Sequence, residues 1–565
     1  MVTRPEPSPA TTATATATPT TRLPRLVVAA PASGHGKTTV ATGLMAALRR
    51  EGLAVGGFKV GPDFIDPGYH SLATGRPGRN LDPFLTDESL IEPLLLHGAQ
   101  AHGPTDIAVI EGVMGLFDGR IGHDGFASTA HVATLTRSPI VLVLDVSHLS
   151  RTAAAIVHGL ATFDPNVRLA GVILNKAASA RHTGEVRAAL ESTGLPVLGV
   201  LPRDAGIEAP SRHLGLVPVE ERVEAAATID RMAERVAEHL DLAAIVTIAH
   251  SAPDLSRMPW SPTAALASAC SGSRYSATAG GRGIPRPGRP VVAVAGGRSF
   301  TFRYAETEEL LRAAGLEPVH FDPTTDGDLP PGTAGLYLGG GFPEVHATEL
   351  SANHALRQAI RAAVNGGMPT VAECAGLLYL CRSVDGHEMV GALPATAAMG
   401  PRLTLGYRTA VATVDSLLGP AGQRVTGHEF HRTTITPDAD KVAPGRGTTY
   451  ESGHSTERFG HATYESGHST GSVGAGTSPS VEWPLSYTRA GTAGHPGWLL
   501  DGRPDGLSLD PAGTGRATVH ASYLHIHWAG HPQLAARFAD AVHEFALAAP
   551  STTSRTVAGL TQGAS

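Results

Sequence analysis

The stretch 26–48, LVVAAPASGHGKTTVATGLMAAL, constrains the fold more than any other part of the chain. Its apolar opening, Leu26-Val27-Val28-Ala29-Ala30, suits a buried strand, and Pro31 predicts an end at Ala30 because proline brings no N–H to a ladder. A loop of small residues follows, Ala32-Ser33-Gly34-His35-Gly36, and then Lys37-Thr38-Thr39 at the head of an Ala/Leu-rich helical run. Strand, glycine loop, Lys-Thr and helix in that order make a phosphate-binding loop. Gly34 and Gly36 let backbone N–H groups close on phosphate oxygens, the helix N-terminus adds positive potential, and Lys37 supplies a full charge. Thr38 is placed to put its hydroxyl on a Mg²⁺ ion, with Thr39 beside it. Pro31 stands where the usual G-x-x-x-x-G-K-[ST] pattern begins with glycine. The competing account, a glycine-rich turn with an incidental lysine, leaves the ordered context unexplained. The chain is expected to bind a nucleoside triphosphate.

At 565 residues two or three domains are expected. Hydrophobic residues make up 42% and charged ones 17%, enough apolar material for large cores. The net charge of −7 gives no general attraction to nucleic acid or to an anionic membrane. Three cysteines, Cys270, Cys374 and Cys381, cannot make a disulfide framework, and their spacing does not suggest zinc. A reducing cytoplasm fits that usage. No run of about 18 apolar residues offers a membrane span. Residues 1–23 form a Thr/Ala/Pro tract expected to be a disordered tail.

From 24 to 250, apolar strands alternate with amphipathic helices, the pattern of a doubly wound, largely parallel α/β sheet. Candidate strands are 26–30, 54–59, 107–110, 140–144, 169–174 and 196–200. The Ser/Ala/Gly/Pro-rich stretch 251–290 is expected to be an interdomain linker. A second α/β domain is expected over 291–547, with strands from 291 and 335, helices over 308–315 and 353–365, and a strand over 369–372. It is interrupted at 443–484 by a polar insertion carrying YESGHST twice, expected to lie on the surface without catalytic work, and a tail follows from 548.

In open α/β sheets, ligands sit beyond the carboxyl ends of strands. Two loops fall there, Lys59-Val60-Gly61-Pro62-Asp63-Phe64-Ile65-Asp66 and Glu111-Gly112-Val113-Met114-Gly115. Asp63 and Glu111 are the candidates to complete a Mg²⁺ shell with Thr38, since Mg²⁺ takes hard oxygen ligands. The bland alternative is that such acids cap helices. Asn175, after the strand in GVILNK, could hydrogen-bond a purine edge or simply hold a turn, and Asp145 and the Arg203-Asp204 pair end strands similarly.

In the second domain, Thr370-Val371-Ala372-Glu373-Cys374-Ala375-Gly376 places a cysteine between an apolar strand and a helix start. A cysteine at such a turn is exposed, and the helix N-terminus favours its thiolate. Cys381, inside the following helix, is expected to be a buried structural thiol. A base is offered by Ser522-Tyr523-Leu524-His525-Ile526-His527, where extended geometry would put His525 and His527 on one face, so either one qualifies. The loop Gly339-Gly340-Gly341-Phe342-Pro343-Glu344 could present an oxyanion hole, and His428-Glu429 in GHEFH form a further polar cluster. Cysteine and histidine together suit attack on an amide, a thioester and its hydrolysis.

These stretches resemble the cobyrinate or hydrogenobyrinate a,c-diamide synthases of corrinoid biosynthesis. The likeness is carried by ASGHGKTT, KVGPDFIDPGYH, ATGRPGRNLD, IEGVMGLFDG, GVILNK, LYLGGGFPE, AECAGLLYL, PRLTLGYR, GHEFH and SYLHIHWAG, in that order through both domains. It implies two doubly wound domains, a P-loop synthetase akin to dethiobiotin synthetase and a class I-type glutamine amidotransferase. It implies ATP and glutamine as co-substrates with Mg²⁺, Cys374 as glutaminase nucleophile, His525 as the group that activates it, and no carboxylate third member, so Glu429 is left out. It also implies a corrin amidated at its a and c acetate side chains, with no bias from residues on whether cobalt is present. A homodimer is one candidate oligomeric state that no residue decides. Cobyric acid synthase has the same architecture, but GPDFIDPGYH after the P-loop favours the diamide enzyme. A partition-type switch ATPase or a glutamine-sensing regulator would need no Cys374–His525 pair.

Overall fold

Seven strands of the N-terminal half line up in parallel because each connection is a helix or a long crossover that returns the chain to the same end of the sheet. They are β1 (Arg25–Ala29), β2 (Val55–Val60), β3 (Arg79–Leu81), β4 (Ile107–Glu111), β5 (Ile140–Asp145), β6 (Leu169–Ala177) and β7 (Val197–Pro202), in the spatial order β3-β2-β4-β1-β5-β6-β7. β1, β2, β4 and all but the last residue of β5 are buried, as strands covered on both faces must be. The computed structural model describes residues 20–203, 211–212, 215–216, 225–271, 289–438, 487–489 and 492–548. The 1–19 part of the expected tail, Asp204, the 443–484 insertion and the 549–565 tail lie outside them.

The second half builds a mixed sheet around a parallel core. Its order is Glu317–Phe321, Val291–Ala295, Thr333–Leu338, Thr370–Glu373, Val519–Ser522, then the antiparallel strands Leu507–Leu509, Thr492–His495 and Tyr487–Arg489. A separate sheet carries a long hairpin of Ala395–Ala412 and Arg424–Pro437. The hairpin escapes a sequence-based reading because glycines and charges interrupt its alternation, and a register shift between Met399 and Thr404 breaks its period.

Most expected strands are found with ends shifted by one to three residues, and three further boundaries change. The helix placed over 308–315 is Ala305–Ala313. The stretch expected to be linker from 251 is structured through 271: Leu255 pairs with Thr21, Trp260 is buried, and the helix Pro262–Ser271 packs against Ala305–Ala313 and Pro532–Ala548. The same pairing orders the end of the expected tail, where Leu23 is buried. The continuation of the linker, 272–288, lies outside the described residues.

The two halves meet over a shared interface. Arg79 at the edge of the first sheet pairs with Glu306 at 2.6 Å and Glu309 at 2.5 Å, both in the second half of the chain. His97 reaches Glu309 at 2.7 Å, and Tyr407 of the hairpin donates to Asp82 at 2.7 Å. Beside these polar links the Phe64 ring packs on Phe302, so residues at the carboxyl ends of strands in both sheets come together there.

Candidate active site

The phosphate loop leaves β1 and enters the helix α1 (Lys37–Arg50), whose first residue is Lys37. Gly34 and Gly36 take the left-handed conformation, φ 84° and 89°, which allows the loop to fold back over the helix start. At Gly36 a side chain is excluded twice, because a Cβ would lie 2.3 Å from the Asn175 amide. Asn175 donates to the His35 carbonyl at 2.9 Å and accepts from the Lys176 N–H, while Lys176 itself reaches the Gly34 carbonyl and Asp145. His35 Nδ1 accepts the Asp145 N–H. Asn175 and Asp145 therefore support the loop from β6 and β5. Pro31 is accommodated with the chain tied to the β4 loop by Leu116 N–H to Ala30 O.

Lys37 donates to the carbonyls of Ala32 and Met114, at 3.1 and 2.5 Å. Burial, then the nearby Lys59 charge, pushes its ammonium down to about 8. Thr38 donates to Glu111 Oε1 at 2.6 Å and lies 3.3 Å from Asp66 Oδ2. Lys59 is buried between Asp66 at 2.7 Å and Glu111 at 3.0 Å, and His70 holds the other Glu111 oxygen at 2.7 Å. Burial disfavours the Lys59 charge, but Asp66 and Glu111 outweigh it and raise its pKa. Glu111 stays below the usual carboxylate range despite burial, because Lys59 and His70 face it. Asp66 is pushed up, first by burial and then by the charges of Asp63 and Glu111.

Asp63 takes a different place from the one its sequence position suggests. Its Oδ1 accepts the N–H groups of Ile65 and Asp66, capping the first turn of the helix α2 (Asp66–Thr74). Asp66, three residues on, is the acid in contact with Thr38 and Lys59. Lys59, Asp66 and His70 were within reach of the sequence argument, since Lys59 lies near the end of the strand β2 and the other two follow it, but nothing in the spacing ranked Asp66 over Asp63.

The second cluster lies at the carboxyl end of the strands Thr333–Leu338, Thr370–Glu373 and Val519–Ser522. Cys374 joins strand to helix at φ 48° and ψ −97°, a strained turn for a residue with a side chain. Gly376 makes the turn fit, since a Cβ there would lie 2.2 Å from the Leu338 carbonyl. This is the strand-turn-helix geometry that aims a nucleophile out of a sheet. The Cys374 thiol points at the Phe430 carbonyl, 3.8 Å away, with the Ala375 N–H beside it. Burial, with Glu344 and other acids nearby, pushes the thiol up. In the glycine loop the Gly340 N–H is taken by the Phe302 carbonyl, so the oxyanion donors that the loop was expected to supply exclude Gly340.

The expected extended stretch through both histidines is not a strand: regular pairing ends at Ser522, and the irregular chain beyond separates them. His525 sits over Gly340, stacked on His428 with ring centroids 5.0 Å apart, and joined to it by two backbone hydrogen bonds. His527 instead packs on Tyr304, with Glu306 at 3.6 Å. Both nitrogens of His525 are buried with no hydrogen-bond partner, and burial and the neighbouring His428 and His431 lower its pKa. His428 meets Tyr304 through Nε2 at 3.3 Å and is pushed down to about 3 by burial. Glu429 pairs with Arg408 and His431 and does not contact His525. Cys381 is buried, as expected.

Two family models divide the chain at the same place as the sheets. Residues 26–217 match the CobQ/CobB/MinD/ParA nucleotide binding domain, and residues 291–473 match the CobB/CobQ-like glutamine amidotransferase domain. The hydrogenobyrinate a,c-diamide synthase of Thermobifida fusca is 57% identical over 93% of this chain and 98% of its own. The Streptomyces coelicolor enzyme of the same name is 49% identical over 92% and 97%. A cobyrinate a,c-diamide synthase from Synechococcus is 45% identical over 73% and 86%. No helix among the described residues is long and apolar enough to cross a membrane. With a nucleotide-binding loop and a glutamine amidotransferase domain fused in one polypeptide, the chain belongs to the hydrogenobyrinate a,c-diamide synthase family of glutamine-dependent amide-forming ligases.

Proposed function

We propose that this protein amidates the a and c acetate carboxylates of hydrogenobyrinate, taking ammonia from glutamine and activating each carboxylate with ATP. The observation that carries the reading is the meeting of two dissimilar sites across one buried interface: a phosphate loop ringed by oxygen donors and a cysteine elbow on a neighbouring sheet. The metal-free corrin is favoured over cobyrinate because the relatives at 57% and 49% identity carry the hydrogenobyrinate name.

The chemistry sets the roles. A carboxylate does not react with ammonia until one oxygen becomes a leaving group. Lys37 and the Gly34–Gly36 amides would hold the ATP phosphates, and transfer of the γ-phosphoryl to the corrin carboxylate gives an acyl phosphate. The residues fit Mg²⁺: the Thr38 hydroxyl faces Glu111 and Asp66, hard oxygen donors gathered at the head of the phosphate loop. Among the described residues no group of three or more His, Cys, Asp or Glu is spaced to hold a metal alone. That suits an ion that takes one or two carboxylates and completes its shell with phosphate oxygens and water. When bound, the ion supplies charge neutralisation on the phosphates. Glu111 and Asp66 are its proposed carboxylate ligands, with Asp63 fixing the loop beside them. Asn175 keeps a second N–H and lone pair for the adenine edge.

On the other side, the Cys374 thiolate would attack the glutamine amide, with His525 receiving the thiol proton and passing it to the departing ammonia. Water then cleaves the thioester. Ammonia that reached solvent would be protonated, so a sheltered path past Tyr304, His428 and His527 at the interface is part of the proposal. The work would take place in the cytoplasm, with no role for nucleic acid or membrane, and a homodimer remains a proposal of the sequence alone.

Product mass decides the matter. Purified protein with ATP, Mg²⁺, glutamine and hydrogenobyrinate should give two successive mass steps, each an OH to NH₂ exchange, and parallel incubation with cobyrinate should be slower. Further amidation of a supplied a,c-diamide would move the chain to the cobyric acid branch. ATP turnover with no amidated corrin would overturn the synthase reading.

A further inference from the structure

We infer that Phe64, a side chain of the synthetase domain, is a positioning residue of the glutaminase, holding His525 away from Cys374 until the phosphate site is loaded. The inference rests on the function proposed above and adds to it a device that ties glutamine hydrolysis to ATP and corrin.

Phe64 lies in the connection between β2 and α2, and the polar atoms around it fix that connection on both sides. Asp63 caps the helix start through Ile65 and Asp66, Asn80 donates to the Gly61 and Asp63 carbonyls, and Asp66 is paired with Lys59 beside Thr38. The backbone thus belongs to the phosphate site, while the ring crosses into the other domain. It stacks on Phe302 with centroids 5.0 Å apart and planes 11° apart, and lies 4.8 Å from Tyr304, 5.4 Å from His428 and 5.1 Å from His525. No other residue of the phosphate cluster makes a ring contact with the candidate base.

The state of that base gives the contact meaning. His525 is held by His428 on one side and Phe64 on another, and neither of its ring nitrogens has a hydrogen-bond partner. The thiol it is expected to serve faces the Phe430 carbonyl instead. A buried imidazole with both nitrogens unpaired is costly, so aromatic packing and not hydrogen bonding keeps it where it is. Phosphates and a divalent cation arriving at Thr38, Asp66 and Glu111 must re-sort the pairs among Lys59, Asp66 and Glu111. The 61–66 connection is anchored in those pairs, so it moves with them, and Phe64 moves with it. His525 is then released toward Cys374, and glutamine is hydrolysed only when an acyl phosphate can capture the ammonia.

The test uses the full chain and two readouts: glutamate released from glutamine, and the rate at which iodoacetamide alkylates Cys374, followed by mass. In the wild type, adding ATP, Mg²⁺ and hydrogenobyrinate together should raise both on the order of tenfold, within the usual range for coupling between two sites. Phe64→Leu keeps an apolar side chain but loses the ring contacts. Its unloaded rates should rise to within about twofold of the loaded ones, since removing the lock removes most of that coupling. More glutamate should then be released per amide formed. Equal wild-type rates with and without the load would overturn the inference, and that arm needs no variant to fold. A Phe64→Leu protein that kept the wild-type gap would overturn it too. Product mass in the same incubations reports the parent reading separately: amidated corrin without a rate gap defeats the role of Phe64 alone, whereas no amidated corrin defeats the synthase.

Discussion

On the phosphate side the charges are sorted before any ligand arrives: Lys59 sits between Asp66 and Glu111, His70 holds the second Glu111 oxygen, and Thr38 is bonded to Glu111. On the glutaminase side, where His525 lies 5.1 Å from the Phe64 ring, the candidate nucleophile and base are each buried with no hydrogen bond between them. Full charges inside a protein are costly unless paired, so a site built from them must assemble itself. Neutral thiol and imidazole carry no such obligation. They can be left apart, at the cost of unpaired imidazole nitrogens, and brought together on demand, which is a useful property where hydrolysing glutamine early would waste it.

The largest effects should come from removing the group that each site cannot replace. Lys37→Ala should lower amidation by about 10³-fold or more with either glutamine or ammonium as donor, because positioning and charge neutralisation are the main terms in phosphoryl transfer. Cys374→Ala should abolish glutamine-dependent amidation to a similar extent, since no other residue forms the thioester. It should leave the ammonium-dependent reaction near the wild-type rate. Product mass with each donor separates the two, and a Cys374→Ala protein dead with ammonium would break the division into two sites.

A smaller effect sharpens the phosphate side. Asp66 faces Thr38 and Lys59, whereas one Asp63 oxygen caps a helix. Asp66→Asn should cut the ammonium-dependent rate by about 10²-fold and raise the Mg²⁺ concentration needed for half-maximal rate, as expected for loss of an oxyanion ligand. Asp63→Asn should cost a few-fold at most, because the amide Oδ1 still accepts the Ile65 and Asp66 N–H groups and keeps the cap. The reverse order would restore Asp63 as the principal metal acid.

How much of this was legible in the chain divides along the same line. The phosphate loop, its Lys37-Thr38 pair and the Cys374 elbow are local in sequence, so turn chemistry and spacing expose them. The doubly wound pattern is legible for the same reason, because β1, β2, β4 and β5 are near-continuous apolar runs. β3, with the sequence RNL, carries no such signal and is defined only by pairing to β2. The hairpin that brings Phe430 to the cysteine and His428 to His525 was invisible, since its residues are spaced by a register that only the partner strand sets. The choice between His525 and His527 turned on an irregular chain after Ser522, and the choice between Asp63 and Asp66 on which oxygen a helix start would claim. Phe64 was in plain view in KVGPDFIDP. That its ring crosses a domain boundary is a tertiary fact.

The last prediction concerns stability, and it has opposite signs in the two halves. Glu373, next to Cys374, is buried with one oxygen accepting from Tyr337 at 3.0 Å, and burial pushes its carboxyl up to about 8. Its folded pKa lies above the unfolded value of about 4.3, so the native state holds the extra proton. The stability tied to that proton is full below the unfolded value and is lost as pH rises through the folded one. Glu373→Gln stays neutral throughout and still offers Tyr337 an acceptor. Thermal melts from pH 5 to 9 should therefore show the variant gaining on the wild type as pH rises, by on the order of a few kcal/mol at pH 8, with the gap levelling above that. Glu111 runs the other way: Lys59 and His70 hold its carboxyl low against burial, so its contribution is present above the unfolded pKa and lost on acidification. Glu111→Gln should accordingly narrow the stability lost below pH 5 while leaving the alkaline limb unchanged. Parallel melting curves for wild type and Glu373→Gln across the whole range would mean that the carboxyl beside the nucleophile is ionised in the folded protein, and the contrast between a charged, sorted site and a neutral, waiting one would lose its electrostatic basis.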